Sequence, residues 1–406
     1  MPFLKLSFKN EKGEHLAARL DLPADEKPVA YAMFAHCFTC TKNLNAVVNI
    51  NRALAKEGIA TLRFDFTGLG ESEGDFSHTS FSSNVSDLIA AADFLKQEFD
   101  APKLLIGHSL GGAAVLQAAK YIPSSIAVAT LGAPSNLTHL ARYLKPQQNA
   151  IATGGEAEIT LAGKTFKIKK QFLDDLELSP MQEAIQNLNK ALLIFHSPVD
   201  SIVGIENAAE IFQLARHPKS FISLDRADHL LSNREDSLYV GSVLAAWARK
   251  YLEISPPASV ARDLTDNRVM TRTGRRGYQT EIVASGHRLL ADEPIAVGGS
   301  DTGPTPYDYL LAALGACTSM TLRMYADRKG LALESIVVRL KHQKIHAEDC
   351  RSCETKSGKI DTIEREIELQ GPLDQEQRQR LLEIADRCPV HRTLRSEIIV
   401  NSKLKE

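Results

Sequence analysis

Short apolar runs alternate with amphipathic stretches through roughly the first 250 residues, and that rhythm admits few folds. Residues 29–35, 59–64, 103–106, 126–131 and 191–196 are short apolar runs with the length of strands buried on both faces. Residues 45–56, 81–96, 204–215 and 236–251 show helical spacing. Strand and helix in alternation call for right-handed crossovers and a mostly parallel sheet with helices on both faces, an α/β architecture. An opening hairpin over 3–8 and 15–22 would add antiparallel edge strands. Residues 134–189 interrupt the rhythm just past a strand's C-terminal end. They read either as a small lid over a cleft or as a surface excursion. Within them Ile159, Leu161, Phe166 and Ile168 flank Ala162-Gly163, the pattern of a hairpin.

The rhythm ends at Ile254-Ser-Pro-Pro-Ala-Ser259, which cannot continue a helix. We expect a linker over 254–261 between a first domain, 1–253, and a second, 262–406. A chain of 406 residues also exceeds what one core usually serves. The second part has an α+β order: strand-like runs at 269–273 and 278–284, a long apolar helix over 307–328, and alternating runs at 336–345 and 360–369. A polar helix over 374–387, a short helix after Pro389 and a last strand over 397–401 follow. The net charge of −2 gives no reason to expect nucleic acid or a membrane surface as a partner. The start lacks the pattern of a signal peptide, and no apolar run reaches the ~18 residues of a membrane span. With six cysteines, these features point to a reducing, cytoplasmic setting and to catalytic or metal-binding thiols.

Two nucleophile patterns stand out. Gly107-His108-Ser109-Leu110-Gly111 follows an apolar run and opens a helix-like stretch. A serine hydroxyl needs a base to take its proton and donors to hold the oxyanion. The G-x-S-x-G turn exposes the serine on a tight strand-to-helix bend, beside free helix N–H groups. Asp200 and His229 follow later strand-like runs, so the chain order is Ser109, Asp200, His229. Alone, either would more often be a satisfied polar residue. As an ordered set with the turn, they read as a catalytic triad. Asp228 is a weaker candidate to orient His229, and His108 and Cys40 read as wall residues.

That order, with Asp65-Phe-Thr-Gly68-Leu-Gly70-Glu-Ser72 and His36-Cys-Phe-Thr39, resembles the α/β-hydrolase fold over roughly residues 1–252. The resemblance implies an oxyanion hole formed by the Leu110 and Phe38 amides. Cys37 stands where that family usually has glycine, which could narrow or shift the pocket.

The second pattern is Thr305-Pro-Tyr-Asp-Tyr-Leu-Leu-Ala-Ala-Leu-Gly-Ala-Cys317-Thr-Ser-Met-Thr321, joined by Cys388-Pro-Val390. Cys388 precedes a proline suited to the first helical position, which places its thiol at a helix N-terminus. These motifs resemble the OsmC/Ohr thiol peroxidases over about residues 262–404. The resemblance implies a peroxidatic Cys317, a resolving Cys388, a thiolate-supporting arginine (Arg275 or Arg276) and a steering carboxylate at Asp308. It also implies a homodimer through this domain and an external dithiol reductant, with no bound cofactor required. The expected whole is bifunctional: a serine hydrolase of ester-type acyl substrates joined to a peroxidase of organic hydroperoxides. The alternative is a single hydrolase whose second half dimerises or senses redox state. His342, His346, Cys350 and Cys353 form a close-spaced cluster that reads as a surface loop, a zinc site or a redox pair; we expect no metal.

Overall fold

The computed structural model describes residues 2–24, 27–37, 40–137, 156–161, 164–252, 269–275, 277–346 and 358–404. The expected linker, 254–261, lies outside them. The chain divides into two compact units, 1–289 and 290–406.

In the first unit the strands are β1 (Phe3–Lys9), β2 (His15–Asp21), β3 (Ala30–Ala35), β4 (Ile59–Phe64), β5 (Leu104–His108) and β6 (Ala127–Leu131). A separate hairpin, β7 (Glu156–Leu161) with β8 (Lys164–Lys169), precedes β9 (Ala191–His196) and β10 (Lys219–Ser223). Eight strands form one sheet in the order β1-β2-β4-β3-β5-β6-β9-β10. From β4 through β10 the neighbours are parallel, while β1 and β2 add the expected antiparallel edge. The order reverses at β3, which has β4 on one side and β5 on the other. Such a reversal opens a crevice beyond the strands' C-terminal ends.

The apolar strands are buried twice over because alternate side chains enter different cores. On β3, Met33 and Ala35 join one cluster and Ala32 and Phe34 the other. On β9, Leu192 and Ile194 take the first side and Leu193 and Phe195 the second. Helices α1 (Asn45–Lys56), α2 (Phe81–Glu98) and α3 (Leu110–Ala118) follow strands in turn. α4 (Lys170–Leu178) and α5 (Met181–Gln186) lie between β8 and β9, α6 (Glu206–Leu214) follows β9, and α7 (Arg234–Tyr251) follows β10. α2, α3 and α6 cover the first core; α1 and α7 cover the second. The hairpin expected around Ala162-Gly163 forms with Ile159 opposite Phe166, although the two turn residues lie outside the described set.

One polar network is sealed inside this unit. Asp21 accepts from Arg63 Nε at 2.8 Å, Asn51 Nδ2 at 2.9 Å and Arg19 Nε at 2.9 Å. Arg63 is itself 1% exposed and also donates to the Lys42 carbonyl. A buried ion pair stays bound in one geometry because removing one partner strands the other charge. The arginine thereby anchors the loop that follows β3.

Farther along, β11 (Val269–Thr273), β12 (Thr280–Ala284) and β13 (His287–Ala291) form a three-stranded sheet. In the second unit α8 spans Pro306–Lys329. It starts at a capping box of Thr305 with Asp308 and ends at Gly330 in the left-handed region, φ 64°. β14 (Ser335–His346) pairs antiparallel with β15 (Lys359–Gln370) along their full length, followed by α9 (Gln375–Ala385) and α10 (Pro389–Leu394). Leu322, Ala326, Leu381 and Ile384 form the core between α8 and α9. The strand expected over 397–401 is not formed. A strand needs an edge to pair with, and among the described residues Ile398, Ile399 and Val400 stand 56%, 78% and 81% exposed.

Candidate active site

Ser109 links β5 to α3 with φ 56° and ψ −125°. A non-glycine residue avoids this region unless its surroundings force it there. Here the force is packing. A Cβ on Gly107 would come within 2.3 Å of the Gly111 carbonyl oxygen, and one on Gly111 within 2.5 Å of the Ala35 and His36 oxygens. Only glycines let β3, β5 and α3 approach this closely, and the tight turn thrusts the serine outward. Leu110, next in the chain, is the first residue of α3, and an N–H in a helix's first turn has no intrahelical acceptor.

The other two residues meet it. His229 Nε2 lies 2.9 Å from Ser109 Oγ, and His229 Nδ1 lies 2.7 Å from Asp200 Oδ2. The carboxylate can only accept, so Nδ1 carries the proton and Nε2 faces the serine as an acceptor. Asp200 Oδ1 accepts from the Ile202 and Val203 amides, both at 2.9 Å. Burial alone would raise the Asp200 carboxyl. Hydrogen bonds from His229 and from the Val203 and Ile202 amides outweigh it and hold the group below its ordinary range. Gly132, at φ 54°, leaves room for both partners: a Cβ there would sit 3.2 Å from Asp200 Oδ2 and 3.3 Å from His229 Nδ1. Asp228 instead accepts from the Ser232 amide.

His108 supports this array from below. Its Nε2 donates to the His229 carbonyl at 2.6 Å, and the two rings lie 5.0 Å apart. Burial first, then the neighbouring His229, brings its pKa from 6.5 down to about 4. The folded state thus prefers neutral His108. Its contribution to stability is complete above pH 6.5 and is lost as pH falls from 6.5 towards 4, where the unfolded chain takes up the proton. We expect His108→Gln, which can still donate to the His229 carbonyl, to flatten the acid decline in stability across this window by roughly 3 kcal/mol. Urea melts of both proteins at several pH values check this; parallel declines would refute it.

The loop after β3 forms the opposite wall. His36 is buried, with Nδ1 donating to the Cys37 carbonyl at 2.7 Å and Nε2 accepting from the Phe66 amide at 3.4 Å. Cys37 and Cys40 are joined by a disulfide, with Cα atoms 5.3 Å apart. Beyond it, Asp65 accepts from the Lys42 amide at 2.7 Å and from Lys42 Nζ at 2.5 Å. Phe38, expected as the second oxyanion donor, lies outside the described residues.

In the second unit Cys317 and Cys388 are free thiols, the first partly buried on α8 and the second buried. Cys388 caps α10, its Sγ accepting from the His391 amide at 3.3 Å as its place before Pro389 predicts. It also touches Thr318 Oγ1 at 3.7 Å, so Cys388 packs against the residue next to Cys317. Arg365 donates to Thr318 Oγ1 at 3.2 Å, to the Ala385 carbonyl at 3.2 Å and to Asp386 at 2.5 Å. Asp308, expected to steer an arginine, spends its carboxylate on the Thr305 cap. Arg276 lies outside the described residues. Arg275 belongs to the first unit's residues. Of the candidate metal cluster, His342 pairs with Asp361 at 2.7 Å and stacks on Tyr307; Cys350 and Cys353 lie outside the described residues. Among the described residues no group of three potential ligands converges.

Residues 32–298 match the family model described as "Alpha/beta hydrolase family". This chain belongs to that family. Residues 298–403 of this hydrolase match the model "OsmC-like protein", so an α/β-hydrolase fold is followed by an OsmC-like domain. The hydrolase is 52% identical to the esterase domain of a Rhodothermus marinus protein, covering 62% of this chain and all of that one, with a TM-score of 0.52. Est1E from Butyrivibrio proteoclasticus, at 20% identity and a TM-score of 0.51 over 61% of this chain and 99% of its own, shares the fold. The human palmitoyl-protein thioesterase ABHD10 is 35% identical over 181 residues, 40% of the hydrolase and 56% of ABHD10. No helix among the described residues is long and apolar enough to cross a membrane.

Two features of the hydrolase show only in the structure. The Cys37–Cys40 spacing is visible as C-x-x-C, but Cys37 in a glycine's place and Cys40 as a wall residue are separate readings that do not join the two. Arg365 carried no local signal, because it reaches Cys388's neighbour only through the β14–β15 register.

Proposed function

We propose that this protein hydrolyses acyl esters or thioesters through Ser109, His229 and Asp200, and reduces organic hydroperoxides through Cys317 and Cys388. The observation that carries the first activity is the unbroken relay of 2.9 Å and 2.7 Å from serine to histidine to carboxylate. Ser109 Oγ attacks the acyl carbonyl as His229 Nε2 takes its proton. Asp200 fixes the ring and stabilises the imidazolium, and the oxyanion forms at the Leu110 and Phe38 amides. His229 then protonates the leaving alcohol or thiol, and water repeats the sequence on the acyl-serine. The activities named for the Rhodothermus domain and for ABHD10 both cleave an acyl bond of this kind and support the substrate class.

For the second activity, Cys317 thiolate attacks the hydroperoxide, releasing an alcohol and becoming a sulfenic acid. Cys388 displaces water to form a disulfide, and an external dithiol restores both thiols. The packing of buried Cys388 against Thr318, the residue after Cys317 on α8, supports this, and the proposed cycle needs no bound cofactor. A second copy of the chain is the proposed partner of this half. Met320, Met324 and Val400, 66%, 72% and 81% exposed, are apolar surface of the sort that a homodimer covers. The proposed location is cytoplasmic.

One preparation tests both activities. We expect p-nitrophenyl ester turnover, and consumption of an organic hydroperoxide only when a dithiol is supplied. Ester turnover with both thiols still reduced after hydroperoxide would leave the second half a dimerisation or sensing module.

A further inference from the structure

The loop beside the nucleophile carries chemistry that acyl transfer does not use. We propose that Cys37 and Cys40 are a reversible dithiol–disulfide site, and that their bond holds the hydrolase in its competent state. This rests on the hydrolase reading of Ser109.

The loop is pinned at both ends. At its start, the Ala35 and His36 carbonyls press on Gly111 in the first turn of α3, so closely that no Cβ fits between them. At its end, Lys42 is held by Asp65 through amide and ammonium, and by Arg63 through its carbonyl. Between these anchors the disulfide closes a ring of four residues, with the Cys40 amide donating to the Cys37 carbonyl at 3.2 Å. The ring follows directly on the carbonyls that bear on Gly111, next to Leu110, whose amide is a proposed oxyanion donor. An oxyanion donor works because it is positioned before the charge develops, so freedom at this point lowers the rate without touching the triad.

The two sulfurs differ in access. Cys37 is 5% exposed, whereas Cys40 is only partly buried. A dithiol's thiolate therefore attacks Cys40 Sγ; the S–S bond breaks and Cys37 leaves as a thiolate that is protonated. The reductant's second thiol then displaces Cys40. The dithiol becomes a disulfide, and two electrons and two protons pass to the cysteines. In reverse, an organic hydroperoxide takes two electrons and two protons from the pair, giving an alcohol, water and the disulfide. These are the two reactant classes proposed for the second half, so acyl hydrolysis would follow the same redox balance.

The test uses the full chain equilibrated with dithiothreitol, with differential alkylation and peptide mapping to locate thiols and a fluorophosphonate to report Ser109 reactivity. We expect Cys37 and Cys40 to become alkylatable without denaturant. Labelling of Ser109 and ester kcat should then fall by roughly tenfold to a hundredfold, below the cost of deleting a donor outright. An organic hydroperoxide should restore both. Cys40→Ser should show the slow rate and ignore reductant, and the wild-type titration decides the matter if that variant does not fold. Cysteines that stay blocked until the protein is denatured would overturn the reversible site. Reduced cysteines with an unchanged labelling rate would overturn the gate and leave the hydrolase reading standing. No labelling of Ser109 in either state would remove the hydrolase reading and the gate with it.

Discussion

Ser109→Ala is expected to lower kcat for ester hydrolysis by about 10⁴-fold or more, with KM little changed. The substitution removes one oxygen and leaves the Cβ, so the backbone at φ 56° and the packing of Gly107 and Gly111 persist. What is lost is the atom that His229 Nε2 faces at 2.9 Å. Without it no acyl-serine forms, and residual turnover comes from substrate binding and the oxyanion donors alone. The reaction with hydroperoxide proposed for Cys317 and Cys388 should be unaffected, since those thiols belong to the other unit. Steady-state kinetics and fluorophosphonate labelling check this together. A variant that still takes the label at an unchanged rate would place the nucleophile elsewhere.

Asp200→Asn should be nearly as damaging, by about 10⁴-fold in kcat, although it changes one atom's chemistry and almost no volume. The carboxylate accepts the Nδ1 proton of His229 at 2.7 Å, which leaves Nε2 free to take a proton from Ser109. An amide that presents NH₂ to Nδ1 favours the opposite tautomer, with the proton on Nε2 and no base facing the serine. The Ile202 and Val203 amides still have an oxygen to bond, so the loop should keep its shape. Loss of activity with an unchanged melting midpoint is the expected pair of results. An active variant would mean that His229 is oriented by its backbone hold from His108 rather than by the carboxylate.

The first unit was readable because its signals are local and repeated. Each buried strand announces itself by a mostly apolar run, Ser109 and Asp200 each follow one, and His229 follows the half-exposed β10, so the order of elements brings them together. The strand expected over 397–401 has the apolar centre Ile398-Ile399-Val400 that marks a strand, but among the described residues it pairs with no edge. The Arg63–Asp21–Asn51 network was not legible either. Residues separated by 42 and 30 positions meet only once β2, β4 and α1 are packed. The OsmC-like half showed its two motif cysteines clearly. Their surroundings depend on which residues β15 turns towards α8, which the alternating pattern leaves open to either register.

The division of each strand's side chains between two cores bears on how this enzyme can change over evolutionary time. A single insertion or deletion in β5 would exchange Leu105 and Ile106 between opposite cores and turn Ser109 away from His229, so the strands are closed to length variation. The loops after β3 and β9 carry no such double duty, and outside the residues that Lys42, the disulfide and Asp200 hold in place they border the site. Length and composition can drift there while the sheet stays fixed. New acyl specificities are therefore reached by rewriting the rim, and lineages of this fold should diverge in their loops long before their strands.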